Sequence, residues 1–471
     1  MLGACSGGGR RAGGNGGAAA RATGPGRPVV IGVVTPLSGP YASVGRQVVA
    51  ALDATTRHIA TDLGGAVRGY HPVVVTADAP LTVTDGQQAY ARLRSRSVDA
   101  VVWCGAAGLA ETVPAIVADL LPVIAVGTDL QARAATDPRI PDLTSPDAAG
   151  FPVFQLGVAT ADAFDVLAAY AAADRGFARS AIVWRASDPG ADVAWAKACA
   201  RHGLDVVLAP SVDTSGGPPD LRAVAAALRG AAAQFVVVLG AAPDAAALVT
   251  ALDAVGGRYI DTPSARGGAF GPMVAGVAPA TGTMTFPTLA GAHAAKGTIA
   301  VAALGAAMGL PTVPIRDWLA RFVSGYGPAR GGEDGPADAI AALLSAAGAA
   351  RSTAGADLVA AMEAGGDTAF GSAVPVGFAP GRHVAPRRGD VALLTLESLP
   401  ETRYDLGQEW GTVYRPGDRT ADLLVDPTLA NNRAAHPELM ADIVGRGYGI
   451  SAQPAYQGGD LAKIAACRAI H

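Results

Sequence analysis

The stretch that decides the fold is VVIGVVTP at 29–36, followed by VGRQVVAALDATTRHIATDLGG at 44–65 and HPVVVTAD at 71–78. The first and third segments are short apolar runs typical of buried strands. The middle segment repeats apolar residues at helical spacing and ends at a glycine pair. Because parallel strands need a crossover that packs on the sheet, this order predicts a β-α-β unit and a parallel sheet covered by helices.

The same alternation continues along the chain and pauses at a Pro-, Asp- and Thr-rich interval, 137–152. We therefore predict an α/β fold with two doubly wound parallel-sheet lobes. Before the pause the pattern predicts helices at 86–96 and 110–120 and strands at 98–105 and 122–127. After it the predicted helices are 161–174, 191–203, 220–231, 244–257, 292–308, 315–325, 336–348 and 354–365, and the predicted strands 180–185, 205–210, 235–240, 281–286, 372–380 and 390–398.

Bulk composition excludes several classes of function. The 471 residues carry a net charge of −4 with no long basic run, so a nucleic-acid partner is not expected. No uninterrupted apolar window is long enough for a membrane-spanning helix. The four cysteines lack metal-ligand spacing, and we expect Cys104 and Cys199 to be small buried residues. We expect neither a metal nor a cofactor.

A series of phrases in a fixed order carries a family resemblance. IGVVTPLSGPYASVGRQVVAALDAT (31–55), LPVIAVGTDL (121–130), FQLGVATAD (154–162) and SAIVWRASDPGADVAWAKACARHGLDVV (180–207) lead to PVGFAPGRHVAPRRGDVALLTLE (375–397). The series resembles the type I periplasmic solute-binding proteins of branched-chain amino acid ABC transporters. The resemblance implies two lobes joined by a three-segment hinge, which close on a small ligand and deliver it to permease subunits. It also implies a monomer without enzymatic activity.

The same resemblance implies a division of the chain into four parts. Residues 1–28 would be a signal remnant and flexible tether, and 399–471 an extension of unknown role. Lobe one would consist of 29–153 and 290–365, and lobe two of 154–289 and 366–398.

Candidate ligand contacts follow from the position of the strands. Ligands of open parallel sheets bind beyond the carboxyl ends of the strands, so the loops after each strand are the candidates. In lobe one these loops supply Ser38, Tyr41, Gly105, Ala106, Leu109, Gly127, Thr128 and Asp129. In lobe two they supply Asp188, Ala241 and Arg266.

Each candidate also has a purely structural interpretation. Ser38 belongs to a Ser-Gly-Pro turn, and Asp188 precedes Pro-Gly. Thr128 and Asp129 are residue types that cap helices. The loop GAAGLA (105–110) offers no hydroxyl, and Arg266 stands near the position where the family has an acidic residue for a ligand ammonium group. These departures weigh against a standard zwitterionic amino acid, and the expected ligand is a small polar or amphipathic molecule: an amino acid or amino-acid-like compound, an amide or an organic acid.

The letters LGAC at 2–5 match the processing site of a bacterial lipoprotein, with Cys5 as the lipidated residue. A charged and an apolar segment should precede such a site, so we interpret Met1 as a start site assigned too late or a trimmed chain. We expect an extracytoplasmic protein anchored to the membrane through Cys5. The alternative is a sensory or cell-envelope scaffold lipoprotein with a degenerate cleft. An enzyme ranks last, because GxSxG, HExxH and Walker A patterns do not occur.

Overall fold

The fold is given by a computed structural model that describes 26–39, 41–80, 82–134, 137–186, 190–213, 220–256, 271–277, 280–281, 285–295, 297–303, 318, 325, 334–365, 377–385, 391–396, 410–414 and 423–424. The strands are β1 (Arg27–Thr35), β2 (Tyr70–Asp78), β3 (Ala100–Cys104), β4 (Val123–Val126), β5 (Val153–Leu156), β6 (Arg179–Arg185), β7 (Asp205–Leu208), β8 (Ser211–Val212), β9 (Phe235–Leu239), β10 (Met273–Gly276), β11 (Ile299–Ala303), β12 (Val384–Ala385), β13 (Val391–Leu396), β14 (Trp410–Tyr414) and β15 (Leu423–Leu424).

The helices alternate with the strands over most of the chain. They are α1 (Ala42–Asp62), α2 (Val83–Arg94), α3 (Leu109–Asp119), α4 (Leu130–Ala134), α5 (Thr160–Ala169), α6 (Ala191–His202), α7 (Arg222–Gly230), α8 (Ala242–Ala254), α9 (Thr285–Ala290), α10 (Ala292–Ala295), α11 (Asp334–Ala350) and α12 (Gly355–Glu363). A π-helical turn, Tyr170–Asp174, extends α5, and a short 3-10 turn spans Pro146–Ala148.

The first sheet forms the centre of lobe one. Its six strands are all parallel, in the order β12-β5-β4-β3-β1-β2. Successive strand side chains alternate between the two faces. Ile31 and Val33 therefore join a core with α1, α11 and α12, while Val34 joins a second core with α2 and α3.

The second sheet forms the centre of lobe two. Its main path is β15-β14-β13-β11-β10-β9-β6-β7, with β8 paired to β6. The strands β11, β10, β9, β6 and β7 are parallel, whereas β13, β14 and β15 are antiparallel additions. Helices α7 to α10 cover one face, and α5 and α6 cover the other. The prediction of an α/β fold with parallel sheets in two lobes is thereby confirmed.

The structure divides the chain between the lobes differently from the predicted boundaries. Strand β5 belongs to the first sheet, so the first crossing follows Leu156. Strand β11, predicted as lobe one, lies in the second sheet, and β12, predicted as lobe two, pairs with β5 in the first. The chain therefore crosses after β5, between β11 and α11, and between β12 and β13.

Two element predictions were wrong. The Ala-rich stretch 292–308 was predicted as one helix, yet it contains the short helix α10 and the strand β11. Ile299, Ala300 and Val301 are fully buried between β10 and β13, and a run buried on both sides has no periodicity that separates strand from helix. The strand predicted near 281–286 is also wrong, because Thr285–Ala290 is helical.

Local signals position two helices of lobe one. Thr82 and Asp85 form a capping box at the start of α2, in which each side chain accepts a hydrogen bond from the other residue's backbone N–H. Helix α3 ends at Asp119, and a Cβ at position 355 would overlap the carbonyl oxygen of the next residue, Leu120. Glycine at the first position of α12 therefore allows α12 to approach the end of α3.

Candidate functional site

Both sheets present the carboxyl ends of their parallel strands toward the junction of the lobes. The chain leaves the first sheet at Leu156, the carboxyl end of β5, and begins α5 of lobe two at Thr160. It leaves the second sheet at Ala303, the carboxyl end of β11, and later forms α11 on lobe one. Ligands bind beyond this end of the strands in open parallel sheets. The candidate site is therefore the space between the two edges.

The loop after β1 is held by its own lobe. Asp78, the last residue of β2, accepts hydrogen bonds from the backbone N–H groups of Leu37 and Ser38 at 2.8 and 3.2 Å, and from Ser38 Oγ at 2.6 Å. The Ser38 hydroxyl proton is thus directed at Asp78. A Cβ at position 45 would overlap the carbonyl oxygen of Pro36, so Gly45 lets α1 pack directly against this loop.

The exposed apolar surface at this edge comes from helix starts. Tyr41 precedes α1 and is 37% exposed, and Val44 in the first turn of α1 is 42% exposed. Val44 Cγ1 lies 4.0 Å from the Cβ position of Gly105, the first residue after β3. Val83, the first residue of α2, is 39% exposed, and its backbone touches the Cβ position of Gly108. These three side chains, Tyr41, Val44 and Val83, are called the apolar rim below.

The loop after β3 contributes backbone rather than side chains. Gly105 is exposed and has a φ of 62°, a conformation that favours glycine. Ala106 and Leu109 are buried in the core of lobe one, and the Ala106 carbonyl accepts a hydrogen bond from Trp103 Nε1 at 2.8 Å. Their side chains therefore serve packing, and Gly105 is the member of this predicted set that faces solvent.

The loop after β4 ends at a carboxylate that joins the two lobes. Asp129 Oδ1 accepts hydrogen bonds from the Ala132 N–H at 3.1 Å, which caps α4, and from Gln155 Nε2 at 3.0 Å. Asp129 Oδ2 accepts the N–H of Thr160 at 2.7 Å, at the start of α5 in lobe two. Gly127 is exposed, with a φ of 67°, and Thr128 is half-buried. The geometry of Asp129 is that of a capping residue at the first crossing.

Two buried residues at the junction were not predicted from the sequence. Gln155 lies in β5, and its Oε1 accepts the N–H of Gln131 at 3.0 Å. His383, just before β12, is fully buried and stacks on Phe154 with the ring centroids 4.1 Å apart. The main chain of His383 bonds to Gln155 and Leu143, so the segment leading to the third crossing is fixed to the first.

The ring of His383 lies between two acceptors. Nδ1 is 3.0 Å from the carbonyl oxygen of Val153, and because a carbonyl only accepts, Nδ1 carries a proton. Nε2 is 2.9 Å from Glu363 Oε1, which also accepts the N–H of Gly150 at 2.5 Å. A further proton must lie on Nε2 or on Glu363 for that contact to be a hydrogen bond. The pair is a buried polar clamp beside the hinge.

The edge of lobe two carries a buried ion pair that sequence reasoning also missed. Arg185 is the last residue of β6, and its Nε donates to Asp244 Oδ2 at 2.7 Å. Asp244 lies in the first turn of α8, and the same oxygen accepts the N–H of Ala241 at 2.8 Å. A Cβ at position 240 would lie 2.5 Å from this oxygen, so Gly240 makes room for the pair. The sequence signal that could have indicated it is a charged residue, Arg185, at the end of an apolar strand.

The remaining predicted site residues do not add to this geometry. Ala241 precedes α8 and contributes its N–H to Asp244. Asp188, Arg266 and the predicted lipidation site Cys5 lie outside the described residues. Among the residues that are described, no group of three or more His, Cys, Asp or Glu could hold a metal ion. Nor does any helix of the described segments have the length and apolarity needed to cross a membrane.

The two described cysteines are free, buried and in different lobes. Cys104 ends β3 and Cys199 lies in α6. Burial raises the pKa of the Cys104 thiol to about 12 and that of the Cys199 thiol to about 11. Both groups are protonated thiols at neutral pH and make poor nucleophiles.

Sequence comparison identifies the family. The family model for periplasmic binding proteins matches residues 28–395, most of the chain, and the chain belongs to this family. No curated protein matches the chain.

Solved structures share the fold at low sequence identity. A branched-chain amino acid ABC transporter protein from Thermus thermophilus with bound valine has a TM-score of 0.64 at 16% identity, over 88% of this chain and 100% of that one. A solute-binding protein of an ABC transporter from Rhodopseudomonas palustris BisB5, in complex with 3,4-dihydroxybenzoic acid, has a TM-score of 0.62 at 16% identity, over 79% and 94%. A fatty acid ABC transporter substrate-binding protein from Thermomonospora curvata has 0.59 at 16%, over 79% and 90%.

Proposed function

We propose that the chain is the extracytoplasmic solute-binding component of an ABC importer. It captures a small polar or amphipathic molecule between its lobes and delivers it to permease subunits. The observation that carries the proposal is the pair of parallel sheets whose carboxyl edges face one junction, linked by crossings after β5, between β11 and α11, and between β12 and β13. Closure of two domains about such a hinge is an established way to enclose a ligand. No reaction step is part of this function.

Family membership and the fold of the solved relatives support the proposal. The printed ligands of those relatives are chemically diverse, and they include valine and 3,4-dihydroxybenzoic acid. The class of molecule must therefore be decided by the residues of this chain. A membrane anchor at Cys5 and a monomeric state complete the proposal.

Ligand-dependent stabilisation tests the proposal. A ligand that binds only the folded state raises its stability by RT ln(1 + [L]/Kd), which is about 2.7 kcal/mol at 100 times Kd. We expect at least one member of a panel of amino acids, small amides, and aromatic and aliphatic acids to raise the melting temperature. Small-angle X-ray scattering should then show a smaller radius of gyration in the presence of that compound.

The alternative is a sensory or scaffold lipoprotein with a degenerate cleft. It is favoured by the lobe-one edge, where the Ser38 hydroxyl is bonded to Asp78 and the side chains of Ala106 and Leu109 are in the core. Under this alternative no compound of the panel shifts the melting temperature or the radius of gyration. Detection of specific binding would eliminate a degenerate cleft.

A further inference from the structure

We infer that the ligand is an amphipathic carboxylate without a free ammonium group, with its carboxylate bound by Arg185 and its apolar body placed on the apolar rim. This inference rests on the proposed solute-binding function and names the chemical class that the site selects. Three observations support it: the fixed guanidinium of Arg185 on lobe two, the apolar rim on lobe one, and the hydrogen bonds that the aspartates of these edges already accept.

Arg185 is presented as a receptor for an anion. Its side chain is 22% exposed at the carboxyl end of β6, so it is partly shielded from water yet accessible from the junction. Only Nε is used within the described part of the chain, by Asp244 at 2.7 Å. The outer N–H groups of the two terminal Nη atoms form a planar fork that matches a carboxylate.

Asp244 fixes the guanidinium in place before any ligand arrives. The Asp244 side chain is only 5% exposed and is itself held by the N–H of Ala241. Because Asp244 is itself fixed, its bond to Arg185 Nε restricts the rotation of the arginine side chain. A side chain that is already ordered loses less conformational entropy when a ligand binds. The pair also keeps the net local charge near zero until a ligand anion is added.

Within the described residues, the carboxylates near the carboxyl ends of the strands are already engaged, which argues against a ligand ammonium group. Asp78 accepts three hydrogen bonds from the loop after β1, and Asp129 accepts three at the first crossing. Asp244 holds Arg185, and Asp213 after β8 also has a partner. A bound ammonium needs a charged or polar acceptor, because burying an unpaired charge is strongly unfavourable.

The apolar rim supplies the complementary surface on lobe one. Tyr41, Val44 and Val83 are exposed around the loop that follows β3, where Gly105 leaves space for a bound molecule. Exposed apolar side chains that cluster at a candidate cleft indicate contact with an apolar partner. A carboxylate with an aromatic or aliphatic body can therefore contact Arg185 with one end and the apolar rim with the other as the lobes close.

Matched sets of compounds test the class of ligand by isothermal titration calorimetry on the full chain. The probes are benzoate, benzamide and phenylalanine for an aromatic body, and octanoate and octanamide for an aliphatic one. We expect at least one carboxylate to bind, and its neutral amide to bind at least about tenfold more weakly, since hydrogen bonds to charged groups contribute most. Phenylalanine should also bind more weakly than benzoate if the aromatic set is preferred.

Variants then test the residue. Arg185→Gln should weaken binding of the preferred carboxylate by about 10- to 100-fold and leave its amide unaffected. Arg222→Gln is the matched control, because Arg222 also pairs with one aspartate but its side chain is 74% exposed at the start of α7. The double variant Arg185→Gln with Asp244→Asn avoids a buried unpaired carboxylate, so it should fold and still bind the carboxylate weakly.

The outcomes separate this inference from the proposed function. If an amide or phenylalanine binds more tightly than every carboxylate, or if the folded double variant retains full carboxylate affinity, the inference is wrong and solute binding stands. If none of the compounds binds, the inference is wrong, and the wider panel of amino acids and amides then tests the proposed function separately.

Discussion

The two lobes share one architecture but differ at the edges that face each other. In lobe one the polar groups of the edge bond to their own lobe or to the hinge, as Ser38 does with Asp78 and Asp129 with Thr160. The exposed apolar side chains of that edge form the apolar rim. Lobe two instead presents a guanidinium that, among the described residues, is bonded through Nε alone. The contrast suggests that the lobes divide the recognition of one molecule between apolar contact and charge.

The largest expected loss of stability concerns the tryptophan in each core. Trp103 of lobe one and Trp195 of lobe two are fully buried, so replacement of either by alanine should lower the free energy of unfolding by about 3–5 kcal/mol. Replacement by phenylalanine should give a different loss of stability in the two lobes. Trp103 Nε1 donates to the Ala106 carbonyl, whereas Trp195 Nε1 has no partner in the described part of the chain. Trp103→Phe should therefore be the more damaging by about 1 kcal/mol.

Urea unfolding followed by circular dichroism measures all four variants. Equal losses for the two phenylalanine variants would show that the Trp103 hydrogen bond contributes nothing net. A larger loss of unfolding free energy for Trp195→Phe than for Trp103→Phe would contradict the prediction.

The next effect lies in the clamp beside the hinge. Glu363→Ala removes the hydrogen-bond partner of His383 Nε2 and the acceptor of the Gly150 N–H, and breaking a buried pair by removing one partner typically costs about 3 kcal/mol. Asp220→Ala, which removes an exposed partner of Arg222 in lobe two, should change the free energy of unfolding by less than about 0.5 kcal/mol. Chemical denaturation of both variants tests the difference, and similar values would mean that the clamp adds no stability.

The effect that vanishes at neutral pH is a sensitivity to alkaline pH that each lobe carries in one thiol. Above pH 9 the thiols of the unfolded chain lose their protons, while burial keeps Cys199 protonated until about 11 and Cys104 until about 12. The unfolded state then binds fewer protons, so stability decreases as pH rises, by about 1.4 kcal/mol per pH unit for each thiol. Below pH 9 both thiols are protonated in both states and this contribution is constant.

Replacing each cysteine by alanine shows how much of the loss of stability at alkaline pH comes from each lobe. Cys104→Ala should flatten the loss of stability between pH 9 and 12, and Cys199→Ala the loss between pH 9 and 11. Denaturation midpoints measured across this range give the slopes. Slopes that are identical in both variants and in the unaltered chain would contradict the assignment.

A contrast between segments with alternating periodicity and uniformly apolar segments explains which elements could be predicted from the sequence. The unit from β1 to β2 was predictable because strand and helix periodicities alternate cleanly and short loops connect them. Strand β11 was not, because an Ala-rich run buried between two strands has the same apolar character as a helix. The placement of β5 and β12 in one sheet depends on a pairing between residues 155 and 384, which no local pattern encodes.

The candidate site was predictable at the level of loops but not of side-chain roles. The strand-end rule selected the neighbourhood of Asp129 and Ala241, yet it could not show that Asp129 caps a helix or that Ala241 supports Asp244. Arg185, Gln155 and His383 were missed because their functions come from partners far along the chain. His383, for example, contacts Val153 across 230 positions.

The antiparallel strands β14 and β15 have a consequence for how the protein is produced. Strand β14 pairs with β13 and β15 pairs with β14, and both strands lie beyond residue 395, where the family match ends. A chain shortened to that match would leave the backbone N–H and C=O groups on one side of β13 without the partners they have here. Open strand edges template pairing between copies. A shorter expression product designed from the relatives alone would thus expose a strand edge that favours association between its copies.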